Sequence, residues 1–178
     1  MSDQRLRAIA SAGLVIGALL GMAGTFTASA ELRGLLWLVD GIALVVASAI
    51  LAMLHLRRGD ALLAAGFLVF MAGETLIVSG SGMELAASAP TVAAGAGLWA
   101  ASLALVSASA VLPGLVRATG AIAAILFAIT AARMVGATDL TPLSRPLPFF
   151  AYPFLALTLF GWAWVHWRPA SPGGAGGQ

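Results

Sequence analysis

Six apolar stretches restrict this chain more than any other feature, at about 8–28, 34–55, 60–80, 92–113, 117–137 and 147–167. Each is about 20 residues long, enough for a helix to cross a ~30 Å hydrocarbon core at ~1.5 Å rise per residue. A bilayer core offers the backbone no water, so each stretch must satisfy its own N–H and C=O groups and be helical. Short breakers separate them: "SAELR", "LRRG", "SGMELAASAPT", "PGLV" and "TDLTPLSRP". Connections this short make sequence neighbours antiparallel. The expected fold is an all-α integral membrane protein, a six-transmembrane-helix bundle forming one domain over 1–168. The Pro/Gly-rich segment 169–178 reads as a disordered cytoplasmic tail. Composition agrees: the 178 residues are 61% hydrophobic and 9% charged, against about 25% charged in ordinary soluble domains.

The charge pattern orients the bundle. The chain has nine Arg and no Lys, placed singly or in pairs at the ends of apolar runs rather than in a patch that would take nucleic acid. With the N-terminus inside, Arg5, Arg7, Arg57, Arg58, Arg117 and Arg168 are cytoplasmic, and only Arg33 and Arg145 fall in outer loops. Arginine excess marks the cytoplasmic side, so both termini are expected inside a cell (inner or plasma) membrane. Trp162, Trp164 and Trp167 at one end of the last helix, and Phe149, Phe150 and Tyr152 at the other, read as interfacial aromatic belts. The first helix also resembles a secretory signal, with "ASA" before Glu31. Its apolar run is longer than the usual 7–15-residue signal core, so retention is the preferred reading.

Small residues suggest where helices meet. Gly13, Gly17 and Gly21 recur at four-residue spacing, as do Gly120, Ala124, Ala128, Ala132 and Gly136. Both stripes are expected to face other helices, because small side chains let backbones approach. Pro153, inside the sixth apolar run, predicts a kink near Phe149. Likenesses hint at repeated helical hairpins. "GLLWLVDGIALVVASA" matches "GAGLWAASLALVSASA"; "MAGT", "MAGET" and "MVGAT" (134–138) recur late in the odd helices; the second and sixth helices end in "MLHLR" and "WVHWR".

Three ionisable residues lie within spans: Asp40, Glu74 and Arg133. Counted from the outer helix ends, Asp40 and Glu74 are ~9 Å deep and Arg133 ~6 Å. Such groups are costly in hydrocarbon and usually pair inside a bundle, so a polar cluster of all three is expected. Two carboxylates against one arginine leave one acid incompletely compensated, as a proton-coupled transporter needs. A plain structural ion pair weighs equally. Thr75, Ser79 and Ser81 would extend a polar path outward. Ser48, Ser102, Ser107 and Ser109 read as interhelical hydrogen-bonding groups. His55 and His166 read as interfacial side chains at cytoplasmic helix ends rather than haem ligands.

No cofactor motif, phosphate loop or metal-ligand spacing occurs, and the absence of Cys removes thiol chemistry and disulfides. "SGSG" lacks the G-x-S-x-G nucleophile pattern. The function expected first is a non-catalytic accessory or scaffold subunit. A small-solute or proton-coupled transporter using Asp40, Glu74 and Arg133 stands second, and an enzyme acting on a lipid or quinone third. The partners expected are the lipid bilayer and either a second copy or another membrane protein.

Overall fold

The computed structural model describes residues 2–136 and 140–168. Among these it contains six long helices and no strand: α1 (Asp3–Phe26), α2 (Ala30–Arg57), α3 (Ala61–Ser79), α4 (Leu85–Ala108), α5 (Gly114–Gly136) and α6 (Tyr152–Trp167). A 3-10 turn at Phe149–Ala151 leads into α6. All six helical segments are long and apolar enough to cross a membrane, making this a multi-pass membrane protein. The tail at 169–178, and the last two residues of the "MVGAT" element, lie outside the described residues.

The helices close into a ring. Each packs on its sequence neighbour, and α6 returns to pack on α1. Ser11 of α1 reinforces that closure by donating to the Ala163 carbonyl of α6 at 3.1 Å. Leu14, Leu51, Phe67, Phe70, Phe127 and Trp162 fill the interior, while Leu19, Leu35, Leu115 and Ile125 point outward. Every helix is apolar all round, so polarity contrast does not choose the inward face. Small residues contribute by permitting close approach. A Cβ added at Gly13 would sit 2.9 Å from the Ala43 carbonyl oxygen, and one at Gly17 would strike the Leu44 side chain. α3 and α4 approach through a reciprocal pair: a Cβ on Gly73 would lie 3.0 Å from the Gly95 carbonyl oxygen, and one on Gly95 2.8 Å from that of Gly73.

Several expectations are corrected. On α5, Gly120 meets the Ser107 side chain of α4 and Ala124 is buried, but Ala128 and Ala132 are exposed. A four-residue step turns a 3.6-residue helix about 40° too far, so a strict stripe winds off the inward face. Nothing is described for the surroundings of Gly136. Pro153 starts α6 rather than kinking it, because the first helical turn has no intrahelical acceptor for the N–H that proline lacks. α4 begins at Leu85 and incorporates Pro90, so much of the breaker "SGMELAASAPT" is helical. Trp162 belongs to the core and not to an interfacial belt, whereas Trp164 and Trp167 are exposed. Two residues along a helix turn the side chain by about 200°, so Trp162 and Trp164 cannot share a face.

Candidate functional site

Asp40 and Glu74 come together toward the arginine-poor end, which carries the α1–α2, α3–α4 and α5–α6 connections. Glycines open the space for them. Gly41 lets Glu74 pass α2: a Cβ there would lie 3.1 Å from Glu74 Oε1. Gly17 and Gly21 on α1 make room for Asp40, since added Cβ atoms would sit 3.1 Å from Oδ1 and 2.7 Å from Oδ2. Glu74 is 1% exposed. Glu74 thus reaches α2 at the residue next to Asp40, and Tyr152 lines the same cavity as Asp40.

Aromatic packing positions the surrounding donors. Trp99 of α4 donates its indole N–H to Glu74 Oε2 at 3.0 Å. The ring stacks on Phe70, with centroids 5.9 Å apart and planes 14° apart, and meets Phe127 edge-on at 5.1 Å. Tyr152 packs against Phe127 and donates its hydroxyl to the Pro142 carbonyl at 3.3 Å. Asp40 Oδ1 is buried with no hydrogen-bond partner among the described residues. A buried carboxylate oxygen without a donor is costly, which makes this the least satisfied point of the site.

A cavity of about 50 Å³ adjoins Asp40, lined also by Gly17, Gly21, Trp37, Trp99 and Tyr152. A wider recess of about 250 Å³ near the helix ends is lined by Arg33 and Glu84. Trp37, Gly80, Ser81 and Ser88 line both spaces, so the recess abuts the inner cavity. The inner space has room for a few waters or one partly hydrated ion and is far below the 300–1,000 Å³ of ordinary small-molecule pockets.

Arg133 does not join the acids. It is exposed on the outside of α5. The inward face of α5 carries Ala123, Phe127, Thr130 and Met134, and one residue's offset from Met134 turns Arg133 about 100° away. Among the described residues the ion pairs are His55–Asp60 and Arg57–Asp3, both at the arginine-rich end. Thr75 and Ser79 are exposed and turn back onto the carbonyls of Met71 and Leu76, so neither extends a polar path, whereas Ser81 lines both spaces. Ser102 ties α4 to α3 by donating to the Gly66 carbonyl at 2.8 Å, while the hydroxyls of Ser48 and Ser107 have no partner among the described residues.

The two histidines overturn their interfacial reading. His55 is 4% and His166 5% exposed, and their Nε2 atoms lie 2.9 Å apart inside the ring. The matching helix ends "MLHLR" and "WVHWR" were the available signal, but the meeting depends on ring closure, which sequence spacing does not encode. Trp99 was likewise missed as a partner of Glu74, although both fall in adjacent spans. Among the described residues no three or more His, Asp or Glu side chains converge as a metal site would require. No protein-family model, curated protein or solved structure matches this chain.

Proposed function

We propose that the chain is a small carrier that binds a proton or a small monovalent cation at Asp40 and Glu74. One observation carries the reading: Asp40, with a buried oxygen lacking any donor, lines a cavity that no arginine or lysine lines among the described residues, and the Glu74 carboxyl group reaches α2 at the neighbouring Gly41. Charge balance then calls for a positive species from outside the fold. Trp37, Trp99 and Tyr152 present aromatic surface to the same cavity, which suits a cation. The cavity's size points to an ion or ammonium-sized solute rather than a large organic molecule. We place the arginine-rich end in the cytoplasm of a cell (inner or plasma) membrane, so the recess near Arg33 and Glu84 opens outward. The hairpin likenesses fit an origin by duplication.

The test is ligand-dependent stability in purified protein. Sodium, potassium, ammonium and choline chlorides are titrated at constant ionic strength, with pH varied separately. A bound ligand at about 100 times its Kd stabilises by about 2.7 kcal/mol. The expected result is a rise in Tm with one cation or with proton concentration that Asp40→Asn abolishes while the variant stays folded. Identical curves for the native protein and the Asn variant in every salt and at every pH overturn the proposal.

The accessory or scaffold reading retains one observation. Ala128, Ala132 and Arg133 face outward from α5, and an arginine turned toward hydrocarbon favours burial against a partner helix. Crosslinking from cysteines at Ala128 in native membranes tests for that partner: a specific adduct supports it, and lipid-only labelling removes it.

A further inference from the structure

The geometry points to a proton-holding site at the arginine-rich end: we propose that His55 and His166 share one excess proton across their Nε2 atoms, with Asp60 as counter-charge. This does not rest on the Asp40–Glu74 reading.

Three contacts determine the proton count. His166 Nδ1 lies 2.7 Å from the Trp162 carbonyl oxygen. A carbonyl only accepts, so this nitrogen carries a hydrogen. His55 Nδ1 lies 3.3 Å from Asp60 Oδ2, and a carboxylate also only accepts. Both Nδ1 atoms are therefore donors. Were both rings neutral, each Nε2 would be bare, and two lone pairs would face each other across 2.9 Å. A third proton converts that repulsion into an ordinary N–H···N hydrogen bond. The pair then carries one positive charge, opposite the Asp60 carboxylate. Because Asp60 is partly solvent-exposed and both histidines are buried, the site is open to water on the Asp60 side and closed behind.

The sequence builds this arrangement locally. α2 ends in a Schellman cap: Asp60 N–H donates to the His55 carbonyl at 3.0 Å, and Gly59 N–H to that of Leu56 at 3.1 Å. Gly59 adopts φ +79°, which a glycine accepts without strain. The cap folds Asp60 back over the helix end, within reach of His55. Phe67 stacks on His55 at 5.7 Å and also contacts His166. Phe67 and Phe70 both pack against Trp162, and Phe70 stacks on Trp99 beside Glu74. Among the described residues no hydrogen-bonded chain joins the histidine pair to Glu74. The charged groups beside the pair are Asp60, 3.3 Å from His55, and Arg58, the C-cap residue of α2.

The chain has two histidines, so nitrogen-15 histidine labelling reports this site alone. Solid-state NMR in lipid over a pH series should show a form with one unprotonated ring nitrogen and a coupling across the Nε2–Nε2 hydrogen bond. Asp60→Asn should narrow the pH range over which the third proton is held. Two unprotonated nitrogens at every pH at which the protein stays folded, or no cross-bond coupling, overturn the proposal. So does stoichiometric metal found by elemental analysis whose removal by chelator changes the nitrogen spectrum, since the lone pairs would then hold a metal ion.

Discussion

Removing the Trp99 indole N–H tests the candidate cation site most directly, because that donor is the hydrogen-bond partner the structure gives Glu74. Trp99→Phe keeps an aromatic ring against Phe70 and Phe127 but removes the donor at 3.0 Å. It also leaves a void, because Trp99 is 5% exposed and tightly surrounded. The single variant should cost about 2–4 kcal/mol, combining a lost hydrogen bond with a partly unfilled cavity. A double-mutant cycle with Glu74→Leu separates the two contributions. Interhelical hydrogen bonds in membranes average about 0.6 kcal/mol and reach ~1.7, whereas bonds to a charged group contribute ~1.5–3. A coupling of about 2 kcal/mol would therefore report an ionised Glu74, and one near 0.6 a protonated Glu74. Reversible unfolding in mixed micelles, followed by far-ultraviolet circular dichroism, supplies the four free energies. A coupling within about 0.3 kcal/mol of zero would refute the Trp99–Glu74 bond and the placement of the donor.

Further expectations follow from the same geometry. Arg133→Leu should change stability by less than about 0.5 kcal/mol, because the side chain lies outside the bundle; a loss of several kcal/mol by the same unfolding assay would return Arg133 to the acids. Gly95→Ala should cost about 1–3 kcal/mol, since the new Cβ meets the Gly73 backbone oxygen, which cannot move aside. Gly120→Ala should cost less, because its obstacle is the rotatable Ser107 hydroxyl, and equal losses would overturn that contrast. Ser11→Ala should lower stability by roughly 0.6–1.7 kcal/mol by freeing the α1–α6 closure, read as the shift in unfolding midpoint. For orientation, a cysteine at Gly82 should react with an impermeant outer thiol reagent and one at Gly114 should not; neither position crowds an added Cβ, and the reverse pattern inverts the topology.

Much of the architecture was legible because it depends on chain-local physics. Run lengths of about 20 apolar residues demand spanning helices whatever their neighbours, and six such helices are present. Glu74 stood out because a lone acid in an apolar run is costly in any fold. Helix faces were another matter. Each helix is apolar around its whole circumference, so no contrast in hydropathy marks its inward side. Arg133 illustrates the consequence. Its depth suited a pair with Glu74, but depth is one coordinate of a side chain on a cylinder, and the angle turned it outward. The drift of the α5 stripe to exposed Ala128 and Ala132 has the same origin.

Ring closure is what the linear chain could not state. His55 and His166 are 111 positions apart, and they meet because α6 returns to pack on α1. Asp40 and Glu74 likewise share a space that Gly17, Gly21 and Gly41 keep open. The sequence by itself determined six antiparallel spans, the cost of their buried acids and an arginine-weighted end, because hydrophobic length and charge act residue by residue. The tertiary structure alone decided which polar groups meet, because that depends on helix rotation and on which pair of helices closes the ring.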